Sequence, residues 1–200
     1  MIVMSTQHRV DARGLVIPYG DWPIDRNAPD GLEVVRRFIN TQSFETGADL
    51  LSSTADLKRW AAHESVARLG IVLHQDLDEL HDLRRLLRAS IESHIAPTGL
   101  RAFSKRHLVE LVFEPGPGLC APTSGIAKVF SAILVGTWFA LHDGTWGRLT
   151  SCSNDHCRWI VFDSSKSKTV RWCSDDACGG RVRAQRYRDR RTDRARSTKA

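Results

Sequence analysis

The chain has no uninterrupted apolar run approaching the roughly eighteen residues that a transmembrane helix needs, so none is expected. Its start, Met1-Ile2-Val3-Met4-Ser5, lacks a basic stretch leading into a long apolar one, and no signal peptide is read there. No phosphate-cradling glycine loop and no nucleophile–base motif occurs, which counts against an enzyme. No internal repeat is visible. Acidic residues are scarce at the C-terminus: between Arg181 and Lys199 only Asp189 and Asp193 oppose nine basic residues, a formal +7. The whole chain of 200 residues carries +6, which leaves about −1 for the first 180. The basic character therefore belongs to the tail, and a tail of this kind points to a polyanion or a membrane surface. It has no Leu/Trp/Phe face, which disfavours the membrane.

Of five cysteines, four are crowded together: Cys152, Cys157, Cys173 and Cys178, spaced C-x4-C, fifteen residues, C-x4-C. Each pair can supply two ligands from one tight loop, and four thiolates fill a tetrahedron without an open position. The chain reads as cytoplasmic, where thiols stay reduced, so metal is favoured over disulfides. One structural zinc ion per chain is expected. Cys120, 32 residues before the cluster, reads as a packed unpaired thiol. His156, beside Cys157, is a competing ligand that a complete tetrahedron does not need. His74, Asp78 and His81 share one helical face, for which a solvated surface is the simpler account.

Between the pairs, Trp159 to Phe162 and Thr169 to Trp172 read as two strands of a hairpin around a polar turn. Five residues turn a helix through roughly 500°, which separates two thiols that far apart. Cys173 is therefore expected to end a strand, and Cys178 to sit at or just before the start of the next helix. That helix carries Arg183, Arg186, Arg190 and Arg194 along one stripe, with Arg181 at its start and Ala184 and Tyr187 packing back on the hairpin.

The remainder reads as helical. Asp30 is an N-cap signal before Val34, Val35, Phe38 and Ile39. Thr54 caps a second helix with Leu57, Trp60 and Ala61 inside. A longer helix over 73–96 has Leu73, Leu77, Leu80, Leu83, Leu87 and Ile91 on its inner face and Arg84, Arg85, Arg88 and Glu92 on the wetter side. Val16 to Tyr19 reads as a short strand. Leu108 to Phe113 and Leu119 to Pro122 read as strands around the turn Glu114 to Gly118. Ile126 to Leu141 is an apolar helix. The fold class is α+β: a mostly helical N-terminal domain with a β-hairpin over 1–149, then a small treble-clef-like four-cysteine zinc module with a basic C-terminal helix over 150–200.

Cys152, Cys157, Trp159, Phe162, Asp163, Arg171, Trp172, Cys173, Cys178, Gly179, Gly180 and Arg181 together resemble the CGNR zinc finger. Phe38-Ile39-Asn40-Thr41, Asp56-Leu57 with Trp60, Leu86-Leu87-Arg88-Ala89 and Asp143-Gly144-Thr145-Trp146 with Arg148-Leu149 are similar to the ABATE domain that accompanies it. The resemblance implies a bacterial, stress-induced transcription regulator whose finger binds DNA. One residue departs: the asparagine that names the finger is Gly180 here, which puts a DNA contact at that position in doubt but leaves the metal ligands untouched.

The leading functional expectation is a DNA-binding regulator that is not an enzyme. Its candidate contacts are Arg181, Arg183, Arg186, Arg190 and Arg194, whose guanidinium forks suit phosphate. The N-terminal domain would sense a small-molecule effector or form a homodimer. Asn40 and Thr41 are its one watched polar pair, as ligand contact, domain-interface contact or helix-end cap. Two other readings stand beside this one: an RNA- or ribosome-associated basic zinc protein, and an enzyme with zinc as scaffold.

Overall fold

The computed structural model describes residues 9–10, 16–17, 27–64, 66–112, 118–120, 122 and 124–197. Pro18, Tyr19, Phe113 and most of the expected 114–118 turn lie outside the described residues, as do the side chains of Cys120 and Arg194.

Helix α1 (Asp30–Ile39) buries Leu32, Val35, Phe38 and Ile39, and its cap is Pro29 rather than Asp30. Helix α2 (Thr54–His63) is capped one residue earlier than expected, by Ser53, whose Oγ accepts from the Asp56 N–H. Its inner face is Leu57, Trp60 and Ala61, and Trp60 meets Phe38 with ring centroids 5.8 Å apart. Helix α3 (His74–Ser93) carries Leu77, Leu80, Leu83, Leu87 and Ile91 inward. Leu73 precedes the helix and is exposed. A seven-residue helix, α4 (Leu100–Arg106), follows where none was expected.

Helix α5 (Gly125–His142) is long and apolar enough to cross a membrane by length and composition alone. Its burial has another cause. Val129, Phe130, Ile133, Leu134 and Ala140 are core residues, and the helix lies directly on α1. The crossing is tight because two glycines meet: a Cβ on Gly136 would stand 2.4 Å from the Gly31 carbonyl oxygen. Any side chain there would force the two helices apart.

Three antiparallel strand pairs lie among the described residues: β1 (Arg9–Val10) with β2 (Val16–Ile17), β3 (Glu110–Val112) with β4 (Gly118–Cys120), and β5 (Leu149–Ser151) with β6 (Ile160–Phe162). The third pairing corrects the sequence reading. Residues 160–162 pair with 149–151, in the register Leu149↔Phe162, and not with 169–172. The turn of this hairpin is therefore the first cysteine loop itself. Residues 169–172 instead hang on Asp163, whose Oδ2 accepts the Val170 N–H at 2.8 Å, and on the Ser153 N–H, which donates to the Arg171 carbonyl at 2.8 Å.

Strand β6 faces two ways. Ile160 and Phe162 join the helical core with Leu149, while Val161 joins a second cluster with Trp172 and the four cysteines. This is the period-two alternation of a strand buried on both sides. The boundary expected at Leu149 falls inside β5.

Two charged residues also depart from expectation. Arg84 and Arg88 are buried, not on a wet face. Arg84 binds both carboxylate oxygens of Asp49, at 2.7 and 2.5 Å, and donates to Thr41 Oγ1 at 2.7 Å. Arg88 donates to the carbonyls of Ile39 and Arg158 at 2.8 and 2.7 Å. A guanidinium can be buried when acceptors replace its water.

Candidate metal centre and basic helix

The first cysteine loop is organised by Asn154. Its carbonyl accepts the N–H groups of Cys157 and Arg158 at 2.8 and 3.0 Å, and its Oδ1 accepts the His156 N–H at 3.2 Å. Arg158 then takes a left-handed backbone, φ 51°, which swings the chain back into β6. The Cys152 N–H closes the loop onto the Trp159 carbonyl at 2.8 Å.

The second pair is built differently. Ser174 caps the turn: its Oγ accepts the Ala177 N–H at 3.2 Å, and its carbonyl accepts from Cys178 and Gly179. Residues Asp175–Gly179 form a wide π turn that runs straight into helix α6 (Gly180–Ser197). Cys178 thus sits in the turn just before the basic helix, where it was expected. Cys173 lies in irregular chain and ends no strand.

The four Sγ atoms lie within 4.8 Å of one another, and all four residues are buried. Cys157 to Cys173 is 3.7 Å and Cys173 to Cys178 is 3.5 Å. A tetrahedron with Zn–S bonds of about 2.3 Å has edges of about 3.8 Å, so the cage has the right size. Its ligands are all thiols, with no vacant protein position. This is a structural zinc site, and His156 is not part of it. The protons tell the same story. Hydrogen bonds from Cys157, Cys173 and Cys178 pull the Cys152 thiol far below its ordinary value, while the Cys152 neighbour pushes Cys157 and Cys173 far above theirs. Thiols held this close together suit a divalent ion, whose binding displaces their protons. Asn154 Nδ2 lies 3.5 Å from Cys178 Sγ, a donor to a ligand sulfur that fixes it from outside the cage.

Positive charge surrounds the centre. Arg158 pairs with Glu92 at 2.6 Å and lies over the Phe44 ring, 4.4 Å from its centroid. Arg88 also lies over Phe44, at 4.8 Å. Burial, followed by the nearby charges of Arg158 and Arg84, outweighs the attraction of Glu92 and lowers Arg88 to about 10, which keeps it protonated at neutral pH.

Comparison with known families names the two modules. Residues 32–117 match the ABATE family, described as "Putative stress-induced transcription regulator", and residues 148–191 match the CGNR zinc finger. The chain therefore contains an ABATE domain, over residues 32–117, followed by a CGNR zinc finger, over residues 148–191. No curated protein matches it.

The CGNR finger presents α6 with little cover. Val182 packs against the cysteine cluster, and from Arg183 to Arg191 every residue is exposed. Ala184 and Tyr187 do not pack on the hairpin; Tyr187 is 61% exposed. The start of the helix packs on the turn Asp175–Gly179. Arg183 turns back, donating to the Asp175 carbonyl at 3.0 Å. Its guanidinium lies over Gly179, where a Cβ would stand 3.0 Å from both Arg183 Nη1 and Trp172 Cδ1. Arg186 and Arg190 extend into solvent. Arg181 is engaged, its Nη1 donating to Glu45 Oε1 at 2.5 Å. Gly180, the departure from the family signature, has ordinary helical angles, φ −60° and ψ −47°. The nearest atom to a Cβ there is the Asp175 oxygen at 3.9 Å, so asparagine would fit the same backbone. An open groove of about 850 Å³ runs between α6 and the first cysteine loop, with His156 and Asp155 on one wall and Gln185 and Arg186 on the other.

Asn40 and Thr41 are buried at the join between the two modules. The Asn40 amide meets β6 like a neighbouring strand: Nδ2 donates to the Ile160 carbonyl at 2.8 Å and Oδ1 accepts the Ile160 N–H at 2.9 Å. Thr41 Oγ1 donates to the Phe38 carbonyl and accepts from Arg84. The residues that spacing did not reveal are Asn154, Phe44, Glu45, Arg88 and Arg158. Only Asn154 had a local signal, as a turn former inside C-x4-C.

Proposed function

We propose that this ABATE–CGNR chain is a cytoplasmic DNA-binding transcription regulator that docks through α6. The observation that supports this most is the helix itself. It is strongly polar, rich in arginine, exposed from Arg183 to Arg191, and packed through Val182 at its zinc-bound end. A helix of that kind has no core-facing stripe, and its like charges repel. Phosphates supply the missing counter-charge, and a helix of this width fits the major groove. The zinc has a structural role: it fixes the start of the helix and thereby its direction. Arg186 and Arg190 are the leading phosphate contacts, with Arg183 beside them and Arg194 further along the same helix. The ABATE domain is the sensing or dimerising part.

The test is binding to duplex DNA across a salt series. With about four to six phosphates engaged, log K falls against log salt with a slope of about −4 to −5. Replacing Arg186 and Arg190 by alanine is expected to flatten the slope by up to about two units while zinc content stays the same. An unchanged slope would remove α6 as the docking element. A competition gel with RNA separates the RNA-associated reading, since phosphate contacts alone do not discriminate.

A further inference from the structure

Glu45 belongs to the ABATE domain and lies 136 positions from Arg181, yet their side chains are paired. The loop that carries it is held as a closed turn. Gln42 and Asp49 form a β-bridge, the Ser43 N–H donates to the Ala48 carbonyl at 2.8 Å, and the Gly47 N–H donates to the Ser43 carbonyl at 3.0 Å. Next to Glu45, Phe44 is fixed by the two arginines over its ring. The tip of the loop is thus fastened beside the metal centre. Glu45 faces a hollow whose other walls include Cys157, Trp159, Cys178 and Arg181.

We propose that Glu45 is a built-in competitor for the phosphate that Arg181 would bind, so that the 41–50 loop sets the affinity of the basic helix for nucleic acid. This rests on the nucleic-acid reading of α6. Arg181 is the first arginine of the helix, and its side chain is 56% exposed while that of Glu45 is 25% exposed. A carboxylate and a phosphate oxygen accept from the same guanidinium fork, so one excludes the other. An ion pair this exposed is weak enough for a phosphate to displace. The other end of the loop is tied to α3 through Asp49 and Arg84. A shift of that helix in the ABATE domain would therefore reach Arg181 through the five residues from Asp49 to Glu45.

The experiment uses the full zinc-loaded chain and a short random-sequence DNA duplex, read by fluorescence anisotropy over a salt series. Glu45→Gln is expected to tighten binding about two- to five-fold, the range for release of one exposed pair. It should also steepen the salt slope by about 0.9, one further phosphate. In a chain that already carries Arg181→Ala, Glu45→Gln should change neither. A gain that persists without Arg181 would mean general repulsion by Glu45 and would overturn the latch. So would a wild-type chain that binds with an Arg186- and Arg190-dependent slope but is indifferent to Glu45→Gln; the nucleic-acid reading would then stand alone. A wild-type chain that does not bind DNA removes both. Elemental analysis confirms that zinc is retained, and Glu45→Ser repeats the measurement if the glutamine variant fails to fold.

Discussion

Asn40 shows how much one side chain does at the join between the modules. The Ile160 carbonyl has a second donor, Arg36 Nη1 at 3.2 Å, but the Ile160 N–H has Asn40 Oδ1 as its acceptor. Asn40→Ala therefore orphans a buried N–H while the carbonyl keeps a partner. Such a loss costs about 1–3 kcal/mol. Urea unfolding of the variant should show an unfolding free energy lower by that amount, read as a lower midpoint at unchanged slope. Wild-type stability would mean that water or a backbone shift supplies the missing acceptor. Nothing in the sequence distinguishes this asparagine from a helix-end cap, because its partner lies 120 residues away. The buried arginines Arg84 and Arg88 were hidden for the same reason. Their acceptors, Asp49, Ile39 and Arg158, come from other elements, and periodicity sorts charged residues outward by default. The cysteines were legible because a metal imposes spacing on the chain itself.

Among the elements, the helices with regular apolar spacing were readable to within one to three residues, since burial of one face dictates both length and register. Helix α4 was not readable: seven residues give too little periodicity. The hairpin was mispaired because residues 159–162 and 169–172 both look like strand, while β5 is three residues long and ends at a ligand. Its true pairing puts β6 between two clusters, and this bears on how the chain can be divided. Truncation after Leu149 removes Ile160 and Phe162 from the helical core, along with the partner of Asn40. Two such side chains are worth about 3–6 kcal/mol of burial, against total stabilities of about 5–15 kcal/mol for a domain. The truncated product is expected to lack a cooperative thermal transition. A sharp transition would show that residues 1–149 close their core without β6.

For the molecule as a whole, the same strand links the metal to the fold. Structural zinc in small fingers is worth about 10–16 kcal/mol in apparent terms, as much as the stability of an entire domain. The cluster around Val161, Trp172 and the cysteines is too small to persist without it, and its loss uncovers the outer face of β6. Removal of zinc should therefore be felt beyond the finger. Chelation is expected to lower the thermal midpoint of the whole chain and to keep unfolding a single transition, followed together by far-ultraviolet circular dichroism and tryptophan fluorescence. The tryptophans report from both sides of β6, Trp60 and Trp146 in the helical core and Trp172 beside the cysteines. Acid should act in the same direction, because protons compete with the metal for thiolates. Two separated transitions after chelation, with the Trp60 and Trp146 environments melting at the unchanged temperature, would instead make the ABATE core independent of its finger. Coupling of this kind runs through β6: Ile160 and Phe162 close the helical core, and Val161 packs beside the cysteines that precede the basic helix.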